Sequence, residues 1–203
     1  MDIYLIRHGE TDWNTVKRLQ GITDIPLNPY GIELAQKTAA GMKDIAFDRI
    51  YSSPMIRAYR TAEIIKGERP VDIIIAEALR EISFGDYEGY IYHEEYFNVP
   101  DPAFFKFFDD PDHYNTPPNG ESLPELIERA ASFVRSVMDD PANEEKTILM
   151  ASHGAAIRGI LSGLFDIPVS DFWGGPVHKN CGVTKIHAEN GRYELIFENK
   201  VYY

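Results

Sequence analysis

Apolar, β-favouring residues fill almost every position from Met1 to Ile6, without a period-two alternation of polar side chains. Such a run reads as a short strand buried on both faces, the pattern of a parallel sheet. It leads directly into Arg7-His8-Gly9-Glu10-Thr11. Asn28-Pro29 then supplies a helix cap followed by proline at the first helical position, and the helix is expected to run to about Met42. Phe47 to Ser52 reads as a second strand, Pro54 to Lys66 as a helix stopped by Gly67, and Val71 to Ile75 as a third strand rich in β-branched residues. The clearest helix is Glu121 to Met138. There Leu123, Leu126, Ile127, Ala130, Val134 and Val137 recur at steps of three and four and form one apolar stripe. Thr147 to Ala151 reads as a fourth strand and Ala155 to Leu164 as the helix after it. Cys181 to His187 and Arg192 to Phe197 flank Glu189-Asn190-Gly191, and Asn-Gly between two strand patterns signals a hairpin.

Strands alternating with helices imply an α/β fold: a mostly parallel sheet with helices on both faces, ending in an antiparallel hairpin. The segment from Gly85 to Gly120 breaks that rhythm. It is rich in Tyr, Phe, Asp and Pro, with Phe104, Phe105, Phe107 and Phe108 inside five positions. It is expected to be an aromatic insert over the active-site end of one domain spanning 1–203. No internal repeat and no interdomain linker is visible.

Composition narrows the partners. Lys and Arg number 20 against 32 Asp and Glu, a formal net charge of -12. A chain this acidic is repelled by nucleic acid and by anionic lipid surfaces, so neither is an expected partner. A phosphorylated small molecule would be repelled too, unless the site reverses the field with clustered Arg and His. The single cysteine, Cys181, excludes an intrachain disulfide and is expected to be buried. No basic stretch followed by an apolar one opens the chain, and no apolar run reaches the ~18 residues of a membrane span. A cytoplasmic protein is expected.

In open α/β sheets ligands bind beyond the carboxyl ends of the strands. Arg7 and His8 follow the first strand; Ser52, Ser53 and Arg57 follow the second; Glu81 follows the third; His153 and Gly154 follow the fourth. Two histidines, two arginines and a carboxylate therefore converge on one edge. Arg presents a planar fork that matches two phosphate oxygens, and helix N-termini after Gly9 and Gly154 would add N–H groups and partial positive charge. A neutral imidazole can attack phosphorus, and a carboxylic acid can protonate the leaving alkoxide. Alone, His8 reads as a structural hydrogen-bonding residue, Arg57 as a solvated helix residue and Glu81 as a cap or surface charge. Their placement at successive strand ends favours phosphoryl transfer.

The motif Leu5-Ile6-Arg7-His8-Gly9-Glu10-Thr11-Asp12-Trp13-Asn14 resembles the signature of the histidine phosphatase superfamily, the phosphoglycerate-mutase-like family. Gln20-Gly21, Asp24-Ile25-Pro26-Leu27, Tyr51-Ser52-Ser53-Pro54 with Arg57, Leu79-Arg80-Glu81, Gly120-Glu121-Ser122 and Ser152-His153-Gly154 extend the likeness to about Val183. The resemblance implies that His8 is the nucleophile and that Arg7, Arg57 and His153 hold the phosphoryl group. Asn14, Gln20 and the Gly154 amide would add contacts, and Glu81 would be general acid and then base. It implies a phosphatase of small phosphorylated metabolites with no metal or organic cofactor. Arg60, Tyr87 and Asn28-Pro29-Tyr30 depart from the usual pattern and leave the subfamily open.

Two other functions compete. A phosphoglycerate mutase would share the nucleophile, but Gly21-Ile22 stands where the mutases carry Gly-Trp, and the insert holds a single basic residue, Lys106. A non-catalytic binding module would have lost His8 or Glu81, and both are present. His93, His113, His178 and His187 show no metal-ligand spacing and read as solvent-exposed or locally hydrogen-bonded; for His178, in a Gly-Pro-rich loop, a place at the pocket is the open alternative. The aromatic insert reads either as a satellite core or as a pocket wall for a ring-bearing leaving group, with Tyr87, Tyr90 and Tyr92 as candidates.

Overall fold

The structure, a computed structural model, describes residues 1–203 except Val177 and Asn190. Its elements in chain order are β1 (Asp2–Arg7), α1 (Asp12–Thr15), α2 (Pro29–Gly41), β2 (Arg49–Ser52), α3 (Ile56–Lys66), β3 (Ile73–Ile75), α4 (Lys106–Asp109), α5 (Leu123–Met138), β4 (Thr147–Ser152), α6 (Gly154–Leu164), β5 (Val183–Glu189) and β6 (Arg192–Lys200). The six strands form one sheet in the order β3-β2-β4-β1-β5-β6. β3, β2, β4 and β1 are mutually parallel. β5 and β6 add antiparallel strands beside β1. The expected α/β architecture with a terminal hairpin is thus the observed one. The Asn-Gly turn predicted for that hairpin includes Asn190, which lies outside the described residues.

The apolar runs become strands because both sheet faces are covered. Ile3, Leu5, Ile148, Met150, Val134, Val137, Ile157, Ile160 and Leu161 form the core on one face. Tyr4, Ile6, Leu34, Ala35, Ile50, Ala62, Ile65, Leu149 and Val183 form it on the other. Helix α5 starts two residues later than predicted, because Ser122 is its cap: the Ser122 hydroxyl accepts the Glu125 amide and the Glu125 carboxylate accepts the Ser122 amide. Its stripe is buried at Leu123, Leu126, Ala130, Val134 and Val137.

Three expectations change. The third strand contracts from Val71–Ile75 to Ile73–Ile75 and lies at the sheet edge, with Ile74 and Ile75 exposed. Its β-branched residues satisfy strand propensity without being core. No helix follows Gly9 directly: Thr11 caps only the four-residue helix α1. The β3–Glu81 connection is a short helical turn, Glu77–Leu79, rather than an immediate strand end.

Short turns, α4 and many rings make up residues 85–120. Phe84, Phe104, Phe107 and Phe108 meet one another, and Phe107 and Phe108 meet Tyr92, Tyr114 or Trp173, mostly edge to face, at centroid distances of 4.9–6.3 Å. They form a third apolar cluster with Leu19, Leu123, Ala155 and Ala156. That cluster stands over the carboxyl end of the sheet, beside the first turn of α6.

Candidate active site

Parallel pairing of β1 and β2 on either side of β4 sets the geometry. The register matches Arg7 to Ser152 and Ser52 to Ala151. Beyond the last paired residues the His8 amide donates to Ser152 O at 3.0 Å, and the Ser53 amide to Ala151 O at 2.9 Å. His8, Ser53 and His153 therefore leave three neighbouring strands at one level, and the two imidazoles lie 5.1 Å apart between ring centroids. The chain can turn there because Gly9 packs on Gly31. A Cβ on Gly9 would come within 2.5 Å of Gly31 O.

His8 is buried, and its Nδ1 lies 2.6 Å from Gly9 O. A carbonyl only accepts, so Nδ1 carries the proton and the lone pair sits on Nε2. Burial, then the Arg57 and Arg7 guanidiniums, hold the His8 pKa well below its usual value. The imidazole is neutral and nucleophilic at neutral pH. His153 is fully buried, its Nε2 is 2.7 Å from Ser53 Oγ, and its Nδ1 has no partner among the described residues. Burial, with Arg57 beside it, also holds His153 well below the usual histidine range.

Arg57 projects from the first turn of α3 and is wholly buried. Its Nη1 donates to Thr23 O at 2.8 Å and its Nη2 to Gly21 O at 2.7 Å, while Nε is unpartnered. Gly21 adopts φ +51, a left-handed conformation that suits glycine. The 21–24 loop is held by Glu88, whose carboxylate accepts the amides of Ile22 at 2.9 Å, Thr23 at 2.8 Å and Phe84 at 3.1 Å. Burial lowers the Arg57 pKa to about 10, which leaves it cationic at neutral pH. Arg7 donates from Nη1 to His178 O, and its buried Nε, like that of Arg57, has no partner among the described residues.

Glu81 faces the same space. Its Oε1 accepts the Ile82 amide at 3.0 Å and the Ala156 amide at 2.9 Å, and its Oε2 accepts the Ala155 amide at 3.3 Å. The positive end of α6 therefore points at Glu81. Those bonds and Arg57 favour the carboxylate, but burial outweighs them and raises its pKa above the usual value. Asn14 Oδ1 accepts from the Thr11 amide at 3.1 Å and from Asn180 Nδ2 at 3.4 Å, which leaves its Nδ2 available. Gln20 Oε1 accepts from Thr11 Oγ1 at 3.0 Å.

A cavity of about 310 Å³ gathers these groups: Arg7, His8, Asn14, Gln20, Arg57, Glu81 and Gly154 all line it. His153 lies behind them, in contact with His8 and Ser53. The arginines, His8, Glu81 and Gly154 singled out at the strand ends thus line one cavity, with His153 against His8; Ser52 and Ser53 do not line it, and His178 does. Of the three tyrosines considered for the wall only Tyr92 lines it; Phe84, Phe107, Phe108 and Trp173 supply the rest. Tyr87 instead packs on Phe104, so the insert is satellite core and cavity wall together. Ser53, Glu88 and Asn180 carry no chemistry of their own, so only spatial neighbours reveal their positioning contacts. At the opposite end of the sheet a second cavity, about 520 Å³, is lined by Asp139, Asp140, Glu144, Glu145 and Glu189 and, among the described residues, by no cationic side chain. It is unsuited to an anion. Among the described residues no group of three or more His, Cys, Asp or Glu is placed to hold a metal ion, and no helix is long and apolar enough to cross a membrane.

A mostly parallel α/β sheet whose strand ends gather two neutral imidazoles, two guanidiniums and a raised-pKa carboxyl defines an enzyme that handles phosphate esters. Residues 3–200 match the model of the histidine phosphatase superfamily, branch 1, and the chain belongs to that family. It is a phosphatase of that superfamily in enzyme class. It is 38% identical to the "Uncharacterized phosphatase PhoE" of Bacillus subtilis, over 79% of this chain and 75% of that one. It is 32% identical to the "Probable phosphoglycerate mutase GpmB" of Proteus mirabilis, over 94% of this chain and 86% of the other. A solved structure, a phosphoserine phosphatase mutant from Entamoeba histolytica in complex with phosphoserine, superposes with a TM-score of 0.85 at 34% identity, covering 98% of this chain and 96% of that chain.

Proposed function

We propose that this protein hydrolyses small phosphomonoesters without a metal, through a covalent phosphohistidine on His8. The observation that carries the reading is a set of buried nitrogens with nothing to bond. Among the described residues, Arg7 Nε, Arg57 Nε and His153 Nδ1 lack partners around the cavity that His8 lines. A buried polar group without a partner costs roughly 1–3 kcal/mol. Three such groups beside one nucleophile are accounted for by a tetrahedral anion that accepts from all of them.

In the reaction His8 Nε2 attacks phosphorus in line, the P–O bond to the organic group breaks, and Glu81 gives its proton to the departing oxygen. A bound phosphate dianion raises the Glu81 pKa further and keeps that proton in place. Arg7, Arg57, His153, Asn14, Gln20 and the Gly154 amide receive the charge on the equatorial oxygens. In the second half Glu81, now a carboxylate, takes a proton from water as it attacks phosphohistidine, and inorganic phosphate leaves. A mutase would instead return the phosphoryl group to a bound phosphoglycerate. The aromatic lining and the scarcity of basic residues in the insert favour water as acceptor.

Brief reaction with a labelled aryl phosphate, quenched in alkaline denaturant, is expected to place one phosphoryl group on the His8 peptide. His8→Ala is expected to lose both label and turnover while keeping its folded spectrum. Turnover retained in that variant overturns the covalent mechanism. Isomerisation of 3-phosphoglycerate faster than phosphate release overturns the phosphatase reading.

A further inference from the structure

Behind the phosphate cavity lies a buried ion pair that no step of the proposed reaction uses. Arg158 of α6 is 3% exposed, and its Nη1 donates to Glu198 Oε1 of β6 at 2.9 Å. Its Nε donates to Phe172 O at 2.7 Å, so the guanidinium is held at two points. Neither Arg158 nor Glu198 lines the cavity. Burying a charged pair costs desolvation that its mutual attraction often fails to recover, so stability alone is a weak reason to keep one. What packs on the pair is more telling. A Cβ on Gly175 would come within 2.3 Å of Arg158 Nη1 and 3.1 Å of Glu198 Oε1. Gly175 is not among the left-handed glycines, so close approach to the pair is what calls for glycine there. His178 is also buried, with its Nε2 3.2 Å from Thr184 Oγ1 and 3.6 Å from Glu198 Oε1. Burial and the Arg158 charge hold its pKa down to about 3, so the ring stays neutral beside the pair. The Lys179 amide then donates to Asn199 Oδ1 at 2.8 Å.

The same short segment also meets the phosphate site. His178 O accepts from Arg7 Nη1, the one hydrogen bond that this guanidinium makes among the described residues. The Cys181 amide donates to Arg7 O at 3.0 Å, and Asn180 Nδ2 to His8 O at 3.1 Å. We infer that the Arg158–Glu198 pair positions the phosphate site: it fixes Gly175 and His178, and the His178 carbonyl in turn fixes the Arg7 guanidinium. The inference rests on the phosphatase reading and adds to it two residues outside the cavity. A donor held in place before the anion arrives loses little rotamer freedom on binding. Released from its anchor, the guanidinium would lose that freedom at every binding event, in the ground state and the transition state alike. Phosphate binding would then weaken while the chemical step is spared.

Two variants disturb the pair differently. Arg158→Met combined with Glu198→Met removes both charges and leaves no unpaired ion. Gly175→Ala keeps both charges and forces the backbone off them. Each is measured by steady-state kinetics on 4-nitrophenyl phosphate, with inorganic phosphate as competitive inhibitor. Inorganic phosphate has no organic group to touch the aromatic wall, so its inhibition constant reports the phosphate site alone. Both variants are expected to raise KM and the phosphate inhibition constant together by about tenfold, the low end for one charge-assisted hydrogen bond. The kcat is expected to stay within about threefold of wild type. A lowered kcat with unchanged KM and inhibition constant is what loss of folded protein alone gives, and it overturns the positioning role. Wild-type constants in either folded variant overturn it as well, so a variant that fails to fold leaves the other to decide. A wild-type enzyme that releases no phosphate from 4-nitrophenyl phosphate overturns the phosphatase reading itself, and the inference falls with it.

Discussion

The Ser53 hydroxyl is a positioning group whose removal should damage turnover more than folding. Ser53 and His153 are both fully buried, and their 2.7 Å contact is the sole bond His153 makes through its ring among the described residues. Ser53 Oγ already accepts the Met55 amide at 3.3 Å, so its proton is free to go to His153 Nε2. That fixes the His153 proton on Nδ1, the nitrogen left without a partner. Ser53→Ala therefore strands Nε2 and frees the ring to adopt the other tautomer, in which Nδ1 has no proton for the phosphoryl oxygens. Leaving one buried nitrogen unsatisfied costs roughly 1–3 kcal/mol. For a chain of this size that corresponds to a Tm lowered by about 3–10 °C. The same free energy, expressed in the transition state, slows kcat by about ten- to a hundredfold. Steady-state kinetics on phenyl phosphate beside thermal unfolding separates the two effects. A Ser53→Ala enzyme with a lowered Tm and wild-type kcat would refute the tautomer argument, because loosened packing alone would then explain the contact.

Glu81→Gln should slow phenyl phosphate, a poor leaving group, far more than 4-nitrophenyl phosphate, because an activated phenolate needs little protonation. Equal slowing of the two would leave Glu81 with a structural role only. The raised Glu81 pKa and the lowered His8 pKa also set a pH window: activity is lost on the acid side only below the usual histidine range, and the alkaline fall, above the usual carboxylate range, should vanish from the Glu81→Gln profile. Stability depends on pH through the buried histidines. His178 has a folded pKa near 3, against a usual 6.5, so below 6.5 the unfolded chain takes up a proton that the folded chain refuses. Stability is therefore complete above 6.5 and falls as the pH drops toward 3. The loss from His178 alone is about 2 kcal/mol at pH 5, and His8 and His153 act in the same direction. Denaturant midpoints at pH 7 and pH 5 measure this; an unchanged midpoint would mean that these rings are not held neutral.

The aromatic segment illustrates what sequence could and could not resolve. The density of Phe104, Phe105, Phe107 and Phe108 announced an apolar body, but composition cannot say which rings face inward. Phe107 and Phe108 reach the cavity because α4 turns them toward Trp173, which lies 66 residues away from Phe107 along the chain and donates its Nε1–H to Phe107 O at 2.5 Å. Tyr87 and Tyr90, closer to Glu81 in sequence, point elsewhere. The β3 segment misled in a related way: three consecutive isoleucines look the same in an edge strand as in a central one.

What the sequence determined by itself was local. Hydrophobic period, caps and turn residues placed nearly every strand and helix, and the identity of the residues after each strand singled out His8, Arg57, Glu81 and His153, the groups proposed to react. Those signals act within a few residues, where backbone sterics and side-chain pattern decide the outcome. Only the tertiary structure decided which groups remain unpaired. The Arg57 fork is spent on Gly21 O and Thr23 O, the Ala155 and Ala156 amides of α6 are spent on Glu81, and Arg7 Nε, Arg57 Nε and His153 Nδ1 keep no partner among the described residues. Hydrogen-bond satisfaction is a property of neighbours in space, so the arrangement that gathers ordinary Arg and His residues with open donors around one cavity exists only once the strands are side by side.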